Sequence, residues 1–474
     1  MSIESINLLE VTKGSIVAPA GCGKTQLIVD SLKSHKSKKP VLILTHTNAG
    51  VAALKHRLEK EKIPLKSYKL LTIDGWTIRL ISTFPKRSEH NPEIINLTNP
   101  STDYKNIRTA ACTLLNGGHV NDVLSSSYSN LLVDEYQDCS IEQHEIIKLA
   151  SNSLPTCVLG DELQAIFGFR GNTLVNWKDD VVTNFPTIKT LTIPWRWNNA
   201  GSKELGSWLL NIRDNIISDK VVDLQTAPKA VIWVHLDGKQ DHQKQLTASY
   251  ANHSEKNDRI LIIGCSINAE SRYKIAGSVK GAVAIENVEL KDLINFSRTF
   301  NLKDERATQN LIIFAQDLMT NIGAQSLITR IDSIIKGTAR KEANEVENSA
   351  IHFKKNPSYK NAVDLLVKIN QQAGVSVYRQ TVFRILIKAL NICSESNELS
   401  LLDVVTRLRE QNRFVGRKLP LKSVGSTLLL KGLESEACVI LDADSLTAQN
   451  LYVAMTRGSK SLTICSKSNI LKPK

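Results

Sequence analysis

The sequence predicts an α/β protein with two parallel-sheet domains, a small insertion in the first and a helical insertion in the second. Three observations lead to this prediction. Short apolar runs alternate with helical patterns, which is typical of parallel sheets covered by helices. The first run, at residues 15–17, leads directly into a glycine-containing loop. A chain of 474 residues is also too long for a single hydrophobic core.

The first domain is predicted to span residues 1–195. Its strands are expected at residues 15–17, 41–44, 131–133 and 157–159, and an amphipathic helix at 48–60. The stretch at about 85–125 is polar and contains three prolines and a Gly-Gly pair. Because such composition does not suit a sheet, this stretch is predicted to be an insertion.

A second strand-rich region begins near residue 230 and resumes near residue 439, with a mostly helical pattern between them. The second domain is therefore predicted to consist of residues 196–267 and 420–474. The helical block at 268–419 is predicted to be inserted into it.

Composition limits the kinds of partner. The net charge of +13 favours polyanions, of which nucleic acid is the commonest, although lysines can also serve only to keep a surface soluble. No apolar run approaches the ~20 residues that span a bilayer. The eight cysteines include no Cys-x-x-Cys pair, so neither a zinc ribbon nor an iron–sulfur cluster is suggested. We expect a cytoplasmic protein without a membrane partner.

The loop after the first strand has the pattern of a phosphate-binding loop. Glycines at positions 21 and 23 allow backbone amides to face a polyphosphate. Lys24 is expected to reach the β- and γ-phosphates, and Thr25 to hold Mg²⁺. The loop consists of Ala18, Pro19, Ala20, Gly21, Cys22, Gly23, Lys24, Thr25 and Gln26. The sequence therefore predicts a nucleoside triphosphate site, with alanine where the first glycine of the pattern usually stands.

Two acids follow the predicted strand at 131–133. Asp134 is expected to bind Mg²⁺, and Glu135 to polarise the attacking water. Paired acids are common by chance, but about 110 residues after a phosphate loop they become specific.

Further motifs extend this pattern in a fixed order. They are Leu44-Thr45-His46-Thr47-Asn48, Thr72-Ile73-Asp74-Gly75-Trp76, Asp134-Glu135-Tyr136-Gln137-Asp138, the run at 159–171, Trp195-Arg196, Lys431-Gly432-Leu433-Glu434 and the run at 452–458. With these motifs the chain resembles the UvrD/Rep/PcrA-like branch of superfamily 1 DNA helicases. The resemblance implies two RecA-like motor domains that use ATP and Mg²⁺.

The resemblance also implies roles at the nucleotide. Besides Glu135, it assigns catalysis to Gln164, as the sensor of the γ-phosphate, and to Arg196 and Arg457, which would clasp that phosphate from the second motor domain. Trp195 would stack on adenine. Glu434 would reach the ribose.

Six residues are assigned to DNA by the same resemblance. They are His46, Thr47, Asn48, Trp76, Phe167 and Arg170. Flat rings along one strand suit base stacking, which is indifferent to sequence. The alternative for each aromatic residue is a place in the core.

The chain departs from the family pattern at three places. No glutamine-bearing motif precedes the phosphate loop, which weakens the case for adenine selectivity. The family's usual Thr-x-His is replaced by Ser426-Thr427-Leu428. Both insertions are short, and strand separation needs a wedge in addition to the motor domains. Translocation is therefore better supported than unwinding.

Three functional hypotheses follow. The leading one is an ATP-dependent translocase and helicase that moves 3′ to 5′ on single-stranded or tailed DNA. The alternative is a regulatory ATPase subunit that senses nucleic acid and gates a partner nuclease, since small proteins of this kind resemble helicase subunits of anti-phage systems such as the Gabija type. A third is a P-loop ATPase that acts on protein or RNA.

Overall fold

The computed structural model describes residues 6–168, 173–250, 258–396, 398–413 and 420–473. The chain divides into two compact units. The first comprises Met1–Ile232, Leu446–Ser461 and Ser468–Lys474, and the second comprises Trp233–Ser445 and Leu462–Lys467. This division differs from the predicted domain boundaries, because residues 196–232 and 446–461 pack within the first unit.

The first unit contains a six-stranded sheet. Its strands are β1 (Lys13–Val17), β2 (Val41–Thr45), β3 (Tyr68–Thr72), β4 (Leu131–Asp134), β5 (Thr156–Gly160) and β6 (Thr187–Thr190). They lie in the order β3-β2-β4-β5-β1-β6, and every neighbouring pair is parallel. Strands β2 and β5 are buried at every position, as central strands covered on both faces must be, whereas most of the edge strand β6 is exposed.

Helices cover both faces of this sheet. They are α1 (Lys24–Lys33), α2 (Asn48–Lys60), α3 (Ile73–Thr83), α4 (Pro85–Ser88), α5 (Pro100–Asn116), α6 (Asn121–Ser127), α7 (Ile141–Ala150), α8 (Val182–Asn184), α9 (Trp195–Asn199) and α10 (Lys203–Ile217). Alternate side chains of β2 enter different cores: Leu42 and Leu44 face one, and Val41 and Ile43 face the other. The sheet therefore separates two hydrophobic layers.

The stretch predicted to be an insertion is helical. Its longest helix, α5, places Ile107, Ala111 and Leu114 in the core beside α3 and α7. The spacing of these residues puts them on one helix face. This segment is thus part of the packing of the first unit, although its composition is polar.

The second unit contains most of another six-stranded sheet. After the short strand β7 (Val222–Asp223) of the first unit come β8 (Val231–His235), β9 (Ile260–Ile263), β10 (Ala282–Ala284), β11 (Lys422–Gly425), β12 (Ser435–Ile440) and β13 (Gly458–Ser466). The order is β10-β11-β9-β12-β13-β8, with parallel pairing from β10 to β12. The last strand, β14 (Ile470–Leu471), pairs with β7 in antiparallel fashion.

Most of the remaining chain is helical. The helices are α11 (Asp241–Tyr250), α12 (Ala269–Ser278), α13 (Lys291–Thr299), α14 (Ala307–Gln316), α15 (Ala324–Ile335), α16 (Glu345–Lys355), α17 (Tyr359–Asn370), α18 (Gln380–Glu395), α19 (Leu401–Arg413), α20 (Thr427–Leu430) and α21 (Ala448–Met455). Helices α13 to α19 share a hydrophobic core of their own, which runs from Leu290 to Leu408. The predicted helical block thus has a core distinct from that of the sheet.

These observations confirm the predicted fold class, an α/β protein with two sheet domains and a helical insertion in the second. Among the helices that the structure describes, none has the length and apolar character needed to cross a membrane.

Candidate nucleotide and nucleic-acid sites

The carboxyl ends of three strands in the first sheet bring the predicted nucleotide-site residues together. Strand β1 ends in the phosphate loop, β4 ends at Asp134 and β5 ends at Gly160. The carboxyl ends of parallel strands meet at one edge of a sheet, which is where α/β proteins bind ligands. The candidate nucleotide site is therefore built by the first unit.

Glycine is required at two positions of the phosphate loop. Gly21 and Gly23 have φ angles of +71° and +91°, which side chains strongly disfavour. A Cβ atom on Gly21 would lie 2.6 Å from a ring carbon of Trp197, and one on Gly23 would lie 3.0 Å from Trp195. Gly23 precedes α1 without a side-chain cap. An uncapped helix start after a glycine loop suits phosphate.

Lys24 lies between the two predicted catalytic acids. Its Nζ atom is 2.9 Å from Asp134 Oδ1 and 2.6 Å from Glu135 Oε1. Burial alone would lower the pKa of the Lys24 ammonium, but the charges of Asp134 and Glu135 outweigh it and raise that pKa above its usual value. The lysine is therefore a fixed positive charge at the mouth of the loop.

The backbone at Glu135 is strained. Its φ angle of +54° lies in the left-handed region, which costs a non-glycine residue about 1–3 kcal/mol. Gln137 Nε2 donates to Glu135 Oε2 at 2.6 Å, and the backbone amide of Glu135 donates to Asp134 Oδ1 at 2.9 Å. The bond from Gln137 and the ion pair with Lys24 hold the carboxylate of Glu135 in place. Such strain is common where a catalytic group must be oriented.

Gln137 also reaches the end of β5. Its Oε1 atom accepts a hydrogen bond from the backbone amide of Asp161 at 3.1 Å. A Cβ atom on Gly160 would lie 2.5 Å from the same oxygen. Glycine is therefore needed at position 160 so that Gln137 can bridge β4 and β5.

Asp161 holds Gln164 and Arg213. Gln164 Nε2 donates to Asp161 Oδ2 at 3.1 Å, and Arg213 Nε and Nη2 donate to Oδ1 at 3.1 and 2.9 Å. Burial lowers the pKa of Arg213, but the charge and hydrogen bonding of Asp161 outweigh this and raise it. Arg213 was not predicted from the sequence, because its helix α10 carries none of the motifs and an arginine on an amphipathic helix gives no signal of its own.

Arg196 and Arg457 both belong to the first unit. Arg196 Nη1 donates to the Thr456 carbonyl at 2.6 Å, and the Arg196 amide donates to the Gly21 carbonyl at 3.1 Å. Arg457 is 3% exposed and donates from Nε to the Val453 carbonyl at 2.8 Å. In this structure both guanidinium groups thus bond backbone carbonyls of residues 453–456. Their roles at the γ-phosphate stay predictions.

Two residues without a predicted role support the loop. Trp197 is 1% exposed, packs on Gly21 and donates from Nε1 to the Gly458 carbonyl at 2.9 Å. The hydroxyl of Tyr452 accepts a hydrogen bond from the Ala20 amide at 3.2 Å. Segments 195–197 and 452–458 therefore fix the phosphate loop from one side.

The other predicted nucleotide residues are distributed as follows. Within the loop, Ala18, Ala20 and Cys22 are buried. Gln26 accepts a hydrogen bond from Arg57 Nη2 at 2.5 Å and donates to Asp30 at 2.8 Å. Its amide therefore links helix α1 to helix α2. Glu434 is exposed and lies in the second unit, just before β12. Its predicted contact with the ribose stays a prediction.

The residues present fit a nucleotide with Mg²⁺. The glycine loop and Lys24 supply amides and a positive charge for phosphate, and Thr25 and Asp134 are the groups that would hold the metal. Mg²⁺ typically takes one or two protein ligands and completes its shell with water and substrate phosphates. When bound, it would neutralise charge on the phosphate oxygens.

Two of the predicted DNA residues form a pair of rings. The centroids of His46 and Phe167 lie 5.6 Å apart with an interplanar angle of 53°, and both side chains are half-buried. Thr47 caps α2 by accepting from the Gly50 amide at 3.0 Å, and the exposed Asn48 begins that helix. We call His46 and Phe167 the ring pair.

Trp76 and Arg170 have other outcomes. Trp76 is 2% exposed and packs in the core with α5 and α7, so its ring offers no surface to a base. This placement speaks against the predicted DNA contact, because position 76 falls on the buried face of α3. Arg170 lies outside the described residues.

Comparison with known proteins agrees with the motif pattern. Residues 94–180 match the family model of the UvrD/REP helicase N-terminal domain. The chain is 26% identical to the ATP-dependent DNA helicase Rep of Escherichia coli over 198 residues, which are 37% of this chain and 28% of that protein. It is 23% identical to the ATP-dependent DNA helicase PcrA of Staphylococcus epidermidis over 217 residues, or 40% of this chain and 27% of that protein.

Two further similarities are shorter or more remote. A probable DNA helicase of Mycoplasma pneumoniae is 35% identical over 77 residues, which are 16% of this chain and 15% of that protein. The crystal structure of Pif1 helicase from Candida albicans aligns with a TM-score of 0.41 and 12% identity, covering 99% of this chain and 96% of that one. The matches to the curated relatives thus span less than a third of each relative's length. Residues 94–180 are therefore similar to the N-terminal domain of UvrD/REP helicases, and the curated relatives with the longer matches are DNA helicases of the same kind.

Proposed function

We propose that the chain is an ATP-dependent translocase and helicase on single-stranded or tailed DNA, moving 3′ to 5′. The observation that carries this proposal is the convergence of Lys24, Asp134 and Glu135 at the strand ends, with both acids within 3 Å of the lysine. Glu135, oriented by Gln137, would take the proton of the attacking water. Gln164, held by Asp161, would sense the γ-phosphate.

The ring pair supports DNA as the activator. Two flat side chains at the end of β2 and after β5 offer stacking surfaces, and base stacking contributes about 1–3 kcal/mol per base. The net charge of +13 favours a phosphate backbone. Asp161 bonds Gln164 and precedes Phe167, so the predicted nucleotide sensor and one member of the ring pair lie in the same segment after β5.

Steady-state ATP hydrolysis tests this proposal. We expect an oligothymidylate to stimulate hydrolysis strongly, and Glu135→Gln to lower the stimulated rate by about 100-fold or more because the base is lost. Glu145→Gln is the matched control, since Glu145 is an exposed carboxylate that pairs with Lys148. Hydrolysis that ignores DNA, or that responds only to RNA, would contradict the proposal.

Direction needs a separate measurement. A 3′-to-5′ translocase displaces streptavidin from a biotin at the 5′ end of an oligonucleotide and not from one at the 3′ end. Displacement from the 3′ end alone would refute the proposed direction. ATPase activity without displacement from either end would instead favour the alternative, an ATPase subunit that gates a partner nuclease.

A further inference from the structure

A chain of hydrogen bonds connects the ring pair to the interior of the first unit. His46 Nδ1 lies 3.3 Å from Gln143 Oε1, and Gln143 Nε2 donates to Asp74 Oδ2 at 3.1 Å. Arg108 Nε and Nη2 donate to the two oxygens of Asp74, each at 2.8 Å. His46 precedes α2, and the other three residues lie on α3, α5 and α7. Four separate elements therefore meet at one row of polar side chains.

The surroundings of Gln143 fix which way its amide points. Gln143 is fully buried, and its Oε1 accepts a hydrogen bond from the Ser140 backbone amide at 3.1 Å. Its Nε2 faces the carboxylate of Asp74, which accepts hydrogen bonds. With the amide so oriented, the atom facing His46 is an oxygen. Neutral His46 must therefore carry its proton on Nδ1 to make this bond.

The pair of Asp74 and Arg108 anchors the row. The two parallel bonds form a bidentate pair, the geometry that best restrains both side chains. Their side chains are only 20% and 17% exposed. Burial would lower the pKa of Arg108, but hydrogen bonding and the charge of Asp74 outweigh it and raise that pKa. Asp74 is thus held in place as a hydrogen-bond acceptor for Gln143.

We propose that Gln143, Asp74 and Arg108 are positioning residues that hold the His46 ring, as its Nδ1–H tautomer, in the orientation that stacks on a base of single-stranded DNA. This inference rests on the proposed function. A histidine ring can rotate and exchange tautomers, whereas a ring bonded to a buried amide keeps one plane and one tautomer.

A double-mutant cycle tests the positioning role. The binding of a fluorescein-labelled oligothymidylate is measured by anisotropy for Gln143→Met and Arg108→Leu, each with and without His46→Phe. His46→Phe keeps a flat ring and removes the nitrogen that Gln143 holds. We expect Gln143→Met to weaken binding about fivefold, and Arg108→Leu about twofold, when His46 is present. In the His46→Phe background neither change should alter binding. Equal losses in both backgrounds would overturn the proposal, because they would show a merely structural role.

Ser140→Ala is the control for the stability of α7. It removes the hydroxyl that caps this helix by accepting from the Gln143 amide, and it leaves the side chain of Gln143 in place. We expect it to lower the thermal unfolding midpoint and to leave DNA binding unchanged. If Ser140→Ala weakens DNA binding as much as Gln143→Met, the role assigned to Gln143 is wrong.

A measurement without DNA separates the inference from the proposed function. Selective ¹⁵N labelling of histidine reports the tautomer of His46, assigned by the signal that His46→Phe removes. We expect Nδ1–H in the wild type, and loss of this preference in Gln143→Met. If DNA binds but the tautomer is Nε2–H, the inference alone fails. If the tautomer is as expected but no DNA binds, the proposed function fails and the positioning role fails with it.

Discussion

Each unit of the molecule contains a cation that pairs with two carboxylates. The two networks differ in the strain of the backbone around them. In the first unit, Lys24 pairs with Asp134 and Glu135 at the ends of strands. In the second, Arg379 donates to Glu286 at 2.7 Å and to Asp292 at 2.8 Å. The difference shows what distinguishes a candidate catalytic centre from a structural ion network.

Further contacts hold Arg379 and Glu286 in place. Its guanidinium lies 4.0 Å from the centroid of the Tyr273 ring, and the hydroxyl of Tyr273 donates to Glu286 at 2.8 Å. The side chains of Arg379 and Glu286 are each 4% exposed. Burial alone would lower the pKa of Arg379, but hydrogen bonding and the charge of Glu286 raise it. The network joins the end of β10 to helices α12, α13 and α18.

The network around Lys24 has a strained backbone instead. Glu135 has a left-handed backbone, its side chain is 33% exposed, and the neighbouring loop has two glycines with positive φ. No residue of the Arg379 network has a positive φ angle. What separates the two networks is therefore the backbone strain at Glu135 and in the neighbouring loop, the feature expected where a catalytic group must be oriented.

The largest expected effect is on catalysis. Lys24→Ala should lower ATP hydrolysis by about 100-fold or more, because a preorganised charge at the phosphates is lost. Its cost in stability should be smaller than that of Arg379→Met, since the Glu135 side chain is 33% exposed whereas that of Glu286 is 4% exposed. ATPase assays and urea unfolding measure the two quantities. If Lys24→Ala kept most of its ATP hydrolysis, the network around Lys24 would be no more catalytic than the one around Arg379.

The next effect is on stability. Arg379→Met should lower the free energy of unfolding of the second unit by about 3–5 kcal/mol, because Glu286 is left buried without its cation. Urea unfolding measures this loss, and the ATPase of the protein that stays folded should be near that of the wild type. The control is the double change Arg379→Met with Glu286→Gln, which should recover part of the stability. A single change that abolished hydrolysis in folded protein would show that this network serves the active site.

A glycine comparison separates strain from crowding. Gly21 and Gly337 have nearly equal φ angles of +71° and +70°, but a Cβ atom meets Trp197 at position 21 and open space at position 337. We expect Gly337→Ala to cost about 1 kcal/mol, which is the backbone strain alone. Gly21→Ala should cost more and should also weaken nucleotide binding. Thermal unfolding and nucleotide titration check this, and equal costs with unchanged nucleotide affinity would show that Trp197 does not restrict the loop.

The smallest expected effect is on the pH dependence of the free energy of unfolding, through the buried His144 ring. Burial lowers the pKa of His144 below its ordinary value of 6.5. Its Nδ1 atom lies 2.8 Å from the hydroxyl of Tyr136. The unfolded chain therefore binds the proton more tightly than the folded chain. The stability that neutral His144 provides is complete above pH 6.5, and it is lost as the pH falls from there through the lower pKa of the folded state.

His144→Gln should flatten this pH dependence of the free energy of unfolding between pH 5 and about pH 7.5, with the exposed His56→Gln as the control. Urea unfolding at a series of pH values provides the measurement. An unchanged slope in His144→Gln would assign the pH dependence to other groups.

Much of the nucleotide site could be predicted from the sequence because its signals are local. A phosphate loop needs glycines and a lysine within a few residues, and an acid pair directly after an apolar strand is visible in a short window. The parallel sheets likewise follow from short apolar runs alternating with helices. By contrast, the polar composition at 85–125 did not reveal α5, whose apolar core residues lie on one helix face.

The sequence by itself determined the fold class, the ordered motifs and the residues around Lys24. Only the tertiary structure decided which side chains complete them: Arg213 on Asp161, Trp197 on Gly21, and Gln143 between His46 and Asp74. It also decided that Trp76 is a core residue. The physical reason is that such contacts join residues tens of positions apart, and their geometry depends on the packing of helices against the sheet, which no local pattern records.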